Sequence, residues 1–399
     1  MQTIFLIISC IILFFLIFPF ITVIFAQLFK EQVDPQKVEK DYDFACIITA
    51  YKNVAITEHL VHSLLNQSYQ NFHIYLIGDE CNPADFSFED ERLTVFFPNP
   101  SLRLKAKSII HATENFIRPH DYTVVLDADN LAHPDFLKEI NLYANQGYRS
   151  IQGQRTAKNL DSIYACADST GEFYKNYVER YVPYMIGSSS VISGSGMAVE
   201  SNLYQAYLDS PEIQQGKEMW KKMLQEDKIL QNFLLNREEY IVFAKNAIVY
   251  DEKVTTADQV ETQRSRWLYS YFQNLPNSSG LIWKGLTNLN WNQLLFGLIT
   301  IAPPLFILLF SAIFLLGLGL FIDPFTSIYL FIGLGIFCVN IIWSLYLSDV
   351  PDQIWKAFYG LPVFIFKQFT ALFKMRNPNK NFKHSEHSKA VKIEEILGK

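Results

Sequence analysis

The sequence predicts an α/β domain framed by membrane-spanning helices. Long uncharged apolar runs lie near both ends of the chain, whereas the middle alternates short strand-like apolar runs with helical ones. The chain of 399 residues is 50% hydrophobic and only 19% charged, which is more apolar than an average soluble protein. Its length is sufficient for two domains.

The apolar excess lies in three segments. Ile4 to Ala26 carries no charge, the uncharged stretch Gly285 to Ile322 is almost wholly apolar from Leu294 onward, and Pro324 to Ser348 is again uncharged. Each run exceeds the roughly 20 residues that a helix needs to cross a bilayer. We therefore expect three spans, and the first lacks the basic start and cleavage site of a signal peptide.

Basic residues predict the orientation of these spans. Asp323 is the one charged residue between the second and third spans, whereas basic residues follow the first and third: Lys30, Lys37, Lys40, Lys374, Arg376, Lys380, Lys383, Lys389 and Lys392. Because basic flanks stay on the cytoplasmic side, we expect a multi-pass protein of the cell membrane with its middle domain and tail in the cytoplasm.

Charge and cysteine usage exclude other classes. The net charge of -6 provides no basic surplus to neutralise phosphates, so we expect no nucleic-acid partner. The five cysteines form no ligand-spaced pair, which argues against a zinc site or a disulfide framework.

The middle of the chain, from about Asp41 to Glu261, predicts the α/β domain. Strand-like and helical runs alternate in the order Phe44–Ala50, Ile56–Asn66 (helical), His73–Ile77, Leu93–Phe97, Leu104–Phe116 (helical) and Tyr122–Leu126. Ligands of open α/β sheets bind beyond the carboxyl ends of the strands. Polar residues occupy those positions here: Tyr51, Asp79, Asp127 and Asp129.

Asp127-Ala128-Asp129 is a candidate metal site. No glycine-rich phosphate loop follows the first strand, so a bound diphosphate would have to be neutralised in another way. Two carboxylates one residue apart can hold Mg²⁺ or Mn²⁺, which favour oxygen ligands. Acidic residues are also common in strand-to-loop turns, so the triplet alone leaves both interpretations open.

Two further motifs follow along the chain. Glu226 and Asp227 form an acidic pair, which is also typical of a first helical turn, and Gln263-x-x-Arg266-Trp267 precedes the second span. Arg can bind a diphosphate through two hydrogen bonds, and Trp offers a flat apolar face to a sugar ring. Arg and Trp are also common anchors at a membrane interface.

The order of these pieces resembles the membrane-integrated family 2 glycosyltransferases, which include cellulose, hyaluronan and poly-N-acetylglucosamine synthases and ceramide glucosyltransferase. The resemblance implies a nucleotide-sugar-binding domain of the GT-A type. It implies that Asp129 coordinates the metal and that Asp127 contacts the nucleotide-sugar. Asp79 would contact the nucleobase, and Tyr51 would frame it.

The resemblance assigns roles to the remaining motifs. Lys105, in Leu104-Lys105-Ala106, would contact a phosphate or the ribose, although a solvated helical lysine is an equal alternative. Asp227 would be the general base, with Gln225 where the family has Thr. The residues of the last motif would line the acceptor site and bind the diphosphate: Gln263, Arg266 and Trp267.

The expected function is inverting, metal-dependent transfer of a sugar from a nucleotide-diphosphate donor, expected to be a UDP-sugar, to a growing polysaccharide at the membrane. Two alternatives stay open: transfer of a single sugar to a membrane lipid, and a catalytically inactive membrane scaffold. Three spans are few for a polymer channel, so a polymerase could require an oligomer or an export partner. The expected segments are a first span (1–29), a cytoplasmic glycosyltransferase domain (41–261), an interfacial segment (262–288), two spans (289–349), an interfacial helix (350–375) and a basic cytoplasmic tail (376–399).

Overall fold

The computed structural model describes residues 2–31, 33–219, 225–360, 364–365, 368 and 391–398. The chain forms two compact units, and neither is one continuous stretch. The apolar unit comprises Met1–Glu31, Asp161–Ser188 and Thr255–Met375, and the sheet unit comprises Gln32–Leu160, Ser189–Val254 and Arg376–Lys399.

The described residues contain the following α-helices in chain order: α1 (Gln2–Ala26), α2 (Glu58–Leu65), α3 (Lys105–Glu114), α4 (Phe136–Asn145), α5 (Ile163–Lys175), α6 (Val182–Met185), α7 (Ser201–Leu208), α8 (Pro211–Met219), α9 (Glu226–Asn236), α10 (Ala257–Thr287), α11 (Trp291–Ile301), α12 (Leu305–Ile322), α13 (Pro324–Leu347), α14 (Asp352–Lys356) and α15 (Ile393–Leu397). A π-helical turn, Asn176–Tyr181, joins α5 to α6.

One mixed sheet of eight strands organises the sheet unit, within the described residues, in the order β3-β2-β1-β4-β7-β6-β8-β5. The strands are β1 (Phe44–Tyr51), β2 (Phe72–Asp79), β3 (Leu93–Phe96), β4 (Tyr122–Asp127), β5 (Leu131–Ala132), β6 (Ser150–Ala157), β7 (Met197–Glu200) and β8 (Ile241–Asp251). β1 is parallel to β2 and β4, and β2 to β3. β7 is antiparallel to both β4 and β6, and β8 is parallel to β6.

These pairings place the carboxyl ends of β1, β2, β4, β6 and β8 at one edge of the sheet. β1, β2 and β4 are near-continuous apolar runs. Every residue of β2 is buried, as expected for a strand covered on both faces. The strand and helix predictions made from the sequence between Phe44 and Leu126 are confirmed, with boundaries that differ by a few residues.

Among the described residues of the apolar unit, three helices are long and apolar enough to cross a membrane: α1, α12 and α13. They pack on one another through a buried cluster that includes Leu16 on α1, Leu308 on α12 and Leu330 on α13. Gly333 lets α13 approach α1 closely, because a Cβ there would lie 2.5 Å from the side chain of Leu13. These contacts are typical of helices that pack in a bilayer through small residues.

The uncharged stretch Gly285 to Ile322 differs from the prediction in one respect. It is not one helix, because the chain is non-helical at Pro303 and Pro304 and divides it into α11 and α12. Proline cannot donate the backbone hydrogen bond of a helix interior, and it disfavours a helical residue before it. The second candidate span therefore begins at Leu305 rather than near Leu294.

The segment Asp161–Ser188 packs in the apolar unit, although it follows β6 in sequence. Tyr174, Tyr177 and Val182 share a buried cluster with Val23 of α1. Two side-chain hydrogen bonds add to it: Gln27 Nε2 donates to Tyr177 Oη at 3.0 Å, and Asn340 Nδ2 donates to Tyr174 Oη at 3.2 Å. The hydroxyl groups of Tyr174 and Tyr177 therefore each have a hydrogen-bond partner among apolar neighbours.

The carboxyl-terminal predictions are only partly covered. Of the predicted interfacial helix (350–375), the structure describes α14, a following turn of 3-10 helix and a few later residues. Most of the predicted basic tail, including Arg376 to Lys389, lies outside the described residues. All but the last residue of the predicted interfacial segment (262–288) lies in α10. A capping box between Thr256 and Gln259 stabilises the first turn of this helix.

Candidate active site

The carboxyl edge of the sheet has a point where the strand order reverses. The chain runs outward from β1 through β2 to β3, and then returns to β4 on the other side of β1. Ligands of such sheets bind in the crevice at this reversal. The side chains that follow β1, β2 and β4 are therefore the first candidates for a binding site.

Asp79, at the end of β2, has a carboxylate that holds a loop. The residue is buried, and Oδ1 accepts hydrogen bonds from Ser101 Oγ at 3.0 Å and from the Leu102 amide at 2.9 Å. Oδ2 accepts from the Arg103 amide at 2.5 Å. The carboxylate therefore fixes the segment that leads into α3.

Glu80, which the sequence analysis did not select, forms hydrogen bonds to the same segment and to Tyr51. Oε2 accepts a hydrogen bond from Tyr51 Oη at 2.8 Å, and Oε1 accepts from Ser101 Oγ at 3.0 Å and from Arg103 Nε at 2.9 Å. Burial raises the pKa of Tyr51 to about 12, and Glu80 adds to the effect. The phenol is therefore a neutral hydrogen-bonding group at physiological pH.

Lys105 joins three parts of the sheet unit. Nζ lies 2.6 Å from Asp127 Oδ1 and donates to the Gly194 carbonyl at 3.0 Å, and it lies 3.8 Å from Glu226 Oε1. Burial lowers the pKa of the Lys105 ammonium, but the nearby carboxylates outweigh burial and place it above its usual value. The predicted donor carboxylate, Asp127, is thus paired with the predicted donor lysine.

Asp129, the predicted metal ligand, lies two residues beyond Asp127 in the turn after β4. Its Oδ1 accepts a long hydrogen bond of 3.4 Å from Asn130 Nδ2, and its backbone carbonyl accepts from Lys158 Nζ at 3.3 Å. Asn130 in turn accepts from the Asp127 amide at 3.0 Å, which fixes the turn that presents both carboxylates. Both Asp residues are only partly buried.

Asp227, the predicted general base, lies in the first turn of α9, where acidic residues are favoured. Gly194 lies beside it, because a Cβ added to Gly194 would be 3.5 Å from Asp227 Cβ. Gly194 has φ +81°, a conformation that other residues rarely adopt. Burial raises the pKa of the neighbouring Glu226, and Lys105 opposes this shift.

The third group of predicted residues belongs to the apolar unit, on α10. The Trp267 side chain is 39% exposed, and Arg264 Cζ lies 4.2 Å from the centre of its ring. Arg264 also forms an ion pair with the buried Asp168, and Lys175 Nζ lies 5.6 Å from the same ring. The indole is therefore already contacted by two cations.

Gln263 and Arg266 are less exposed than Trp267. Gln263 Oε1 is buried and has no hydrogen-bond partner among the described residues. Burial lowers the pKa of Arg266. A buried amide oxygen without a partner is uncommon in folded proteins, so Gln263 is a candidate for contact with a bound molecule.

A family model for glycosyltransferase-like family 2 matches residues 42–270 of the chain, which includes every predicted site residue. The chain belongs to this glycosyltransferase family. The family 2 domain therefore includes both the strand-end carboxylates and the start of α10, and the chain is a glycosyltransferase.

Solved structures show which fold this glycosyltransferase has. The mannosyltransferase PcManGT from Pyrobaculum calidifontis, in complex with GDP-Man and Mn²⁺, matches with a TM-score of 0.51 at 10% identity, over 94% of this chain and 99% of that chain. TarS residues 1–349 from S. aureus, in complex with UDP, match with a TM-score of 0.37 at 12% identity, over 60% of this chain and 65% of that chain. No curated protein matches the chain. The match to the mannosyltransferase confirms the predicted GT-A type α/β domain accompanied by apolar helices.

The sheet unit of this family 2 glycosyltransferase brings together several residues predicted from the sequence. Lys105 contacts Asp127 and the Gly194 carbonyl, and Gly194 lies beside Asp227. Asp79 and Glu80 both hold the 101–103 loop, and Glu80 accepts from Tyr51. The other predicted residues belong to the apolar unit: Gln263, Arg266 and Trp267. Sequence reasoning missed Glu80, Lys158, Asp168, Lys175 and Arg264. Glu80 and Arg264 each adjoin or lie within a selected motif, but the others carry no local signal.

Proposed function

We propose that this glycosyltransferase transfers a sugar, with inversion, from a nucleotide diphosphate donor to an acceptor at the membrane. The observation that carries the proposal is the meeting of Lys105, Asp127 and Glu226 beside Gly194 and Asp227. This cluster brings the carboxylate proposed to contact the donor, Asp127, close to the proposed general base, Asp227. It lies where the strand order reverses, which is where ligands of such sheets bind.

Asp227 would act as the general base. In transfer with inversion, the acceptor hydroxyl loses its proton as its oxygen attacks the anomeric carbon, and the bond from that carbon to the diphosphate oxygen breaks. A carboxylate within reach of the hydroxyl can take the proton. Lys105 would hold Asp127 and the Gly194 turn in place during this step.

Asp127 and Asp129 fit a divalent cation. Both supply only oxygen atoms, which suits Mg²⁺ or Mn²⁺. No third Asp, Glu, His or Cys forms a cluster of three with them in the part of the chain that the structure describes, so phosphates and water would supply the other ligands. A bound ion would stabilise the charge of the departing diphosphate as a Lewis acid.

The corner formed by Tyr51, Asp79 and Glu80 would bind the nucleobase. Asp79 uses both carboxylate oxygens to hold the 101–103 loop, so we propose that it shapes the pocket. Tyr51 offers an aromatic face for a base to stack on. We propose uridine as the donor nucleoside. Guanosine is the natural comparison, because the similar mannosyltransferase structure is a complex with GDP-Man.

We propose a growing polysaccharide as the acceptor and the cell membrane as the location, with the sheet unit in the cytoplasm. Three helices could cross a bilayer. A polymerase with so few spans would need an oligomer or an export partner to form a channel. The predicted division into spans, glycosyltransferase domain, interfacial segments and tail is part of this proposal.

Transfer of one sugar to a membrane lipid is a second candidate. The contact of Arg264 and Lys175 with the Trp267 ring favours it, because an indole already covered by cations has less free face for a polymer sugar. These cations belong to the same unit as the apolar helices. They would suit an acceptor that carries an anionic group at the membrane surface.

The deciding experiment incubates membranes that contain the full chain with labelled UDP- and GDP-sugars and measures the size of the product. Long labelled chains would support a polysaccharide acceptor, and a product with one added sugar that extracts into organic solvent would support a lipid acceptor. Chelation followed by addition of Mg²⁺ or Mn²⁺ tests the metal. Absence of transfer from every nucleotide-sugar in folded protein would contradict the proposed function.

A further inference from the structure

Lys158 directly follows β6 and therefore lies at the same sheet edge as Asp127 and Asp251. Its backbone amide donates to the Asp251 carbonyl at 2.8 Å, which extends the pairing of β6 with β8 by one residue. Its side chain returns towards the turn after β4, where Nζ donates to the Asp129 carbonyl at 3.3 Å. A lysine of a more distant strand thus reaches the proposed metal-binding turn.

The Lys158 ammonium is buried without a matching carboxylate. The residue is 6% exposed, and among the described residues it forms no ion pair. The two neighbouring cations do have a carboxylate partner. Arg155 Nη2 lies 2.5 Å and Lys253 Nζ lies 2.7 Å from the carboxylate of Asp251. Asp251 is therefore already neutralised, and Lys158 adds a positive charge to this edge.

A buried ammonium of this kind carries an energetic cost. Only one of its three N–H donors has an acceptor in the described part of the chain. Buried charges are usually paired or bind a ligand. We therefore expect the Lys158 ammonium to gain a charged partner when an anion binds.

A nucleotide diphosphate supplies the missing anion. Asp127 and Asp129 place two negative charges where the donor phosphates would lie, and Lys105 already contacts Asp127 and the Gly194 carbonyl. A further cation is needed to balance the phosphates there. We propose that Lys158 is a donor-binding residue whose ammonium contacts a phosphate oxygen of the diphosphate beside Asp129; this inference rests on the proposed function.

A second role for Lys158 must be separated from this one. Its hydrogen bond to the Asp129 carbonyl could serve only to position the turn after β4. Loss of such a contact would weaken the binding of every ligand that contacts the turn by a similar factor. Direct contact with the diphosphate would instead be lost mainly for ligands that carry the second phosphate.

The test measures binding of UDP, UMP, GDP and GMP to the full chain in detergent, with Mg²⁺ and again with a chelator. Lys158→Met keeps the length of the side chain and removes its charge. We expect its preference for the diphosphate over the monophosphate to fall by about ten- to a hundredfold, as for loss of a charged hydrogen bond. The loss should persist with the chelator, and Lys158→Arg should restore part of the preference.

Lys138→Met is the matched control, because Lys138 is an exposed lysine on α4. It should bind all four nucleotides as the wild type does. A diphosphate preference unchanged by Lys158→Met, in a variant that unfolds at the wild-type temperature, would overturn this inference alone. Absence of nucleotide binding by the wild type would overturn the proposed function together with it.

Discussion

A single side chain, Lys105, balances the charges of the proposed donor site. Its ammonium lies against Asp127 and near Glu226, so one cation lies between two acids that come from distant parts of the sequence. Burial alone would favour the neutral forms of all three groups, but their mutual attraction opposes it. The sequence predicts that Lys105 contacts the donor. In the structure, Lys105 also pairs with these carboxylates.

Asp227→Asn should abolish transfer while preserving donor binding. The amide keeps the shape of the side chain but cannot accept the proton of the acceptor hydroxyl. Removal of a general base typically slows turnover by about 10²- to 10⁴-fold. Turnover and nucleotide affinity of the purified full chain measure the two effects separately.

Glu212→Gln is the control for this variant, because Glu212 is an exposed acid in the first turn of α8. It makes the same chemical change and should leave transfer intact. Turnover of Asp227→Asn close to that of Glu212→Gln would exclude Asp227 as the base.

At this scale the sequence identified residue types and strand ends but not their partners. Asp79 could be selected because it ends an apolar run, yet its hydrogen bonds to Ser101 and to two backbone amides depend on a loop that returns to it from more than twenty positions away. Lys158 has no motif around it at all. Its position depends on which strands pair, which hydrophobic periodicity does not determine.

Among the connecting elements, the turn Ser193–Gly196, which precedes β7, lies beside the proposed base, Asp227. It supplies the Gly194 carbonyl to Lys105 and places the Gly194 Cα beside Asp227. Gln152 anchors it from β6, since Oε1 accepts from the Ser193 amide at 2.9 Å and Nε2 donates to the Ser195 carbonyl at 3.1 Å. The turn is therefore held on both sides.

Gly194→Ala should lower turnover by more than its effect on folding. A residue other than glycine at φ +81° is strained by about 1–2 kcal/mol, and the new methyl group would lie against Asp227. Gly147→Ala is the matched control, because Gly147 has φ +91° and a Cβ there would meet no atom within 4 Å.

The two variants should therefore lose similar stability, measured by thermal unfolding. Only Gly194→Ala should lose activity beyond the loss of folded protein. Equal activity losses in both variants would refute a special role for the Ser193–Gly196 turn.

The opposite edge of the sheet holds a buried titratable network. His120 Nδ1 lies 2.9 Å from Asp43 Oδ1, and its Nε2 lies 2.8 Å from Tyr75 Oη. Tyr75 Oη accepts from the Ile117 amide at 3.0 Å, so its own proton is available to His120. This arrangement suits a neutral imidazole that donates from Nδ1 to Asp43 and accepts from Tyr75 at Nε2.

This network should make the stability of the sheet unit depend on pH. Burial lowers the pKa of His120 below its usual 6.5, so the folded state binds fewer protons than the unfolded state. Stability from His120 is therefore complete above about pH 6.5 and is lost as the pH falls towards the folded pKa. Although burial raises it, Arg118 and His120 hold the pKa of Asp43 below its usual value. Stability from Asp43 is therefore complete above that usual value and is lost only at a lower pH than the stability from His120.

His120→Gln should accordingly unfold at a temperature that changes less between about pH 7 and about pH 5 than that of the wild type. His73, whose pKa burial lowers to about 4, would keep its own contribution in both proteins. His62→Gln, at an exposed position on α2, is the control and should retain the wild-type dependence. Identical pH profiles for His120→Gln and wild type would contradict this interpretation.

Individual strands and helices could be predicted from the sequence more directly than their packing into units. Apolar periodicity predicted the strands and helices from Phe44 to Leu126 because each is a local pattern. The predicted glycosyltransferase domain (41–261) includes 161–188, which lie within the match to the family 2 model and pack with the apolar helices. Their apolar side chains would suit either environment, so only the tertiary contacts decide.

For the molecule as a whole, the placement of basic residues predicts topology. A reporter fused near Lys40 or after Lys383 should report the cytoplasm, and one inserted at Asp323, in the turn between α12 and α13, should report the opposite side. Accessibility of the reporter to an impermeant reagent measures this directly. A cytoplasmic signal at Asp323 would show that α12 and α13 do not cross the bilayer separately.

The division of the apolar unit among three stretches of chain has a consequence for biosynthesis. α1 leaves the ribosome first, but its partners α12 and α13 are synthesised roughly 300 residues later. Until then the apolar faces of α1 and of 161–188 have only each other and lipid as neighbours. The membrane part should therefore mature last, and a truncated chain that ends before α10 should be captured by chaperones and degraded even though every strand of the sheet has been made.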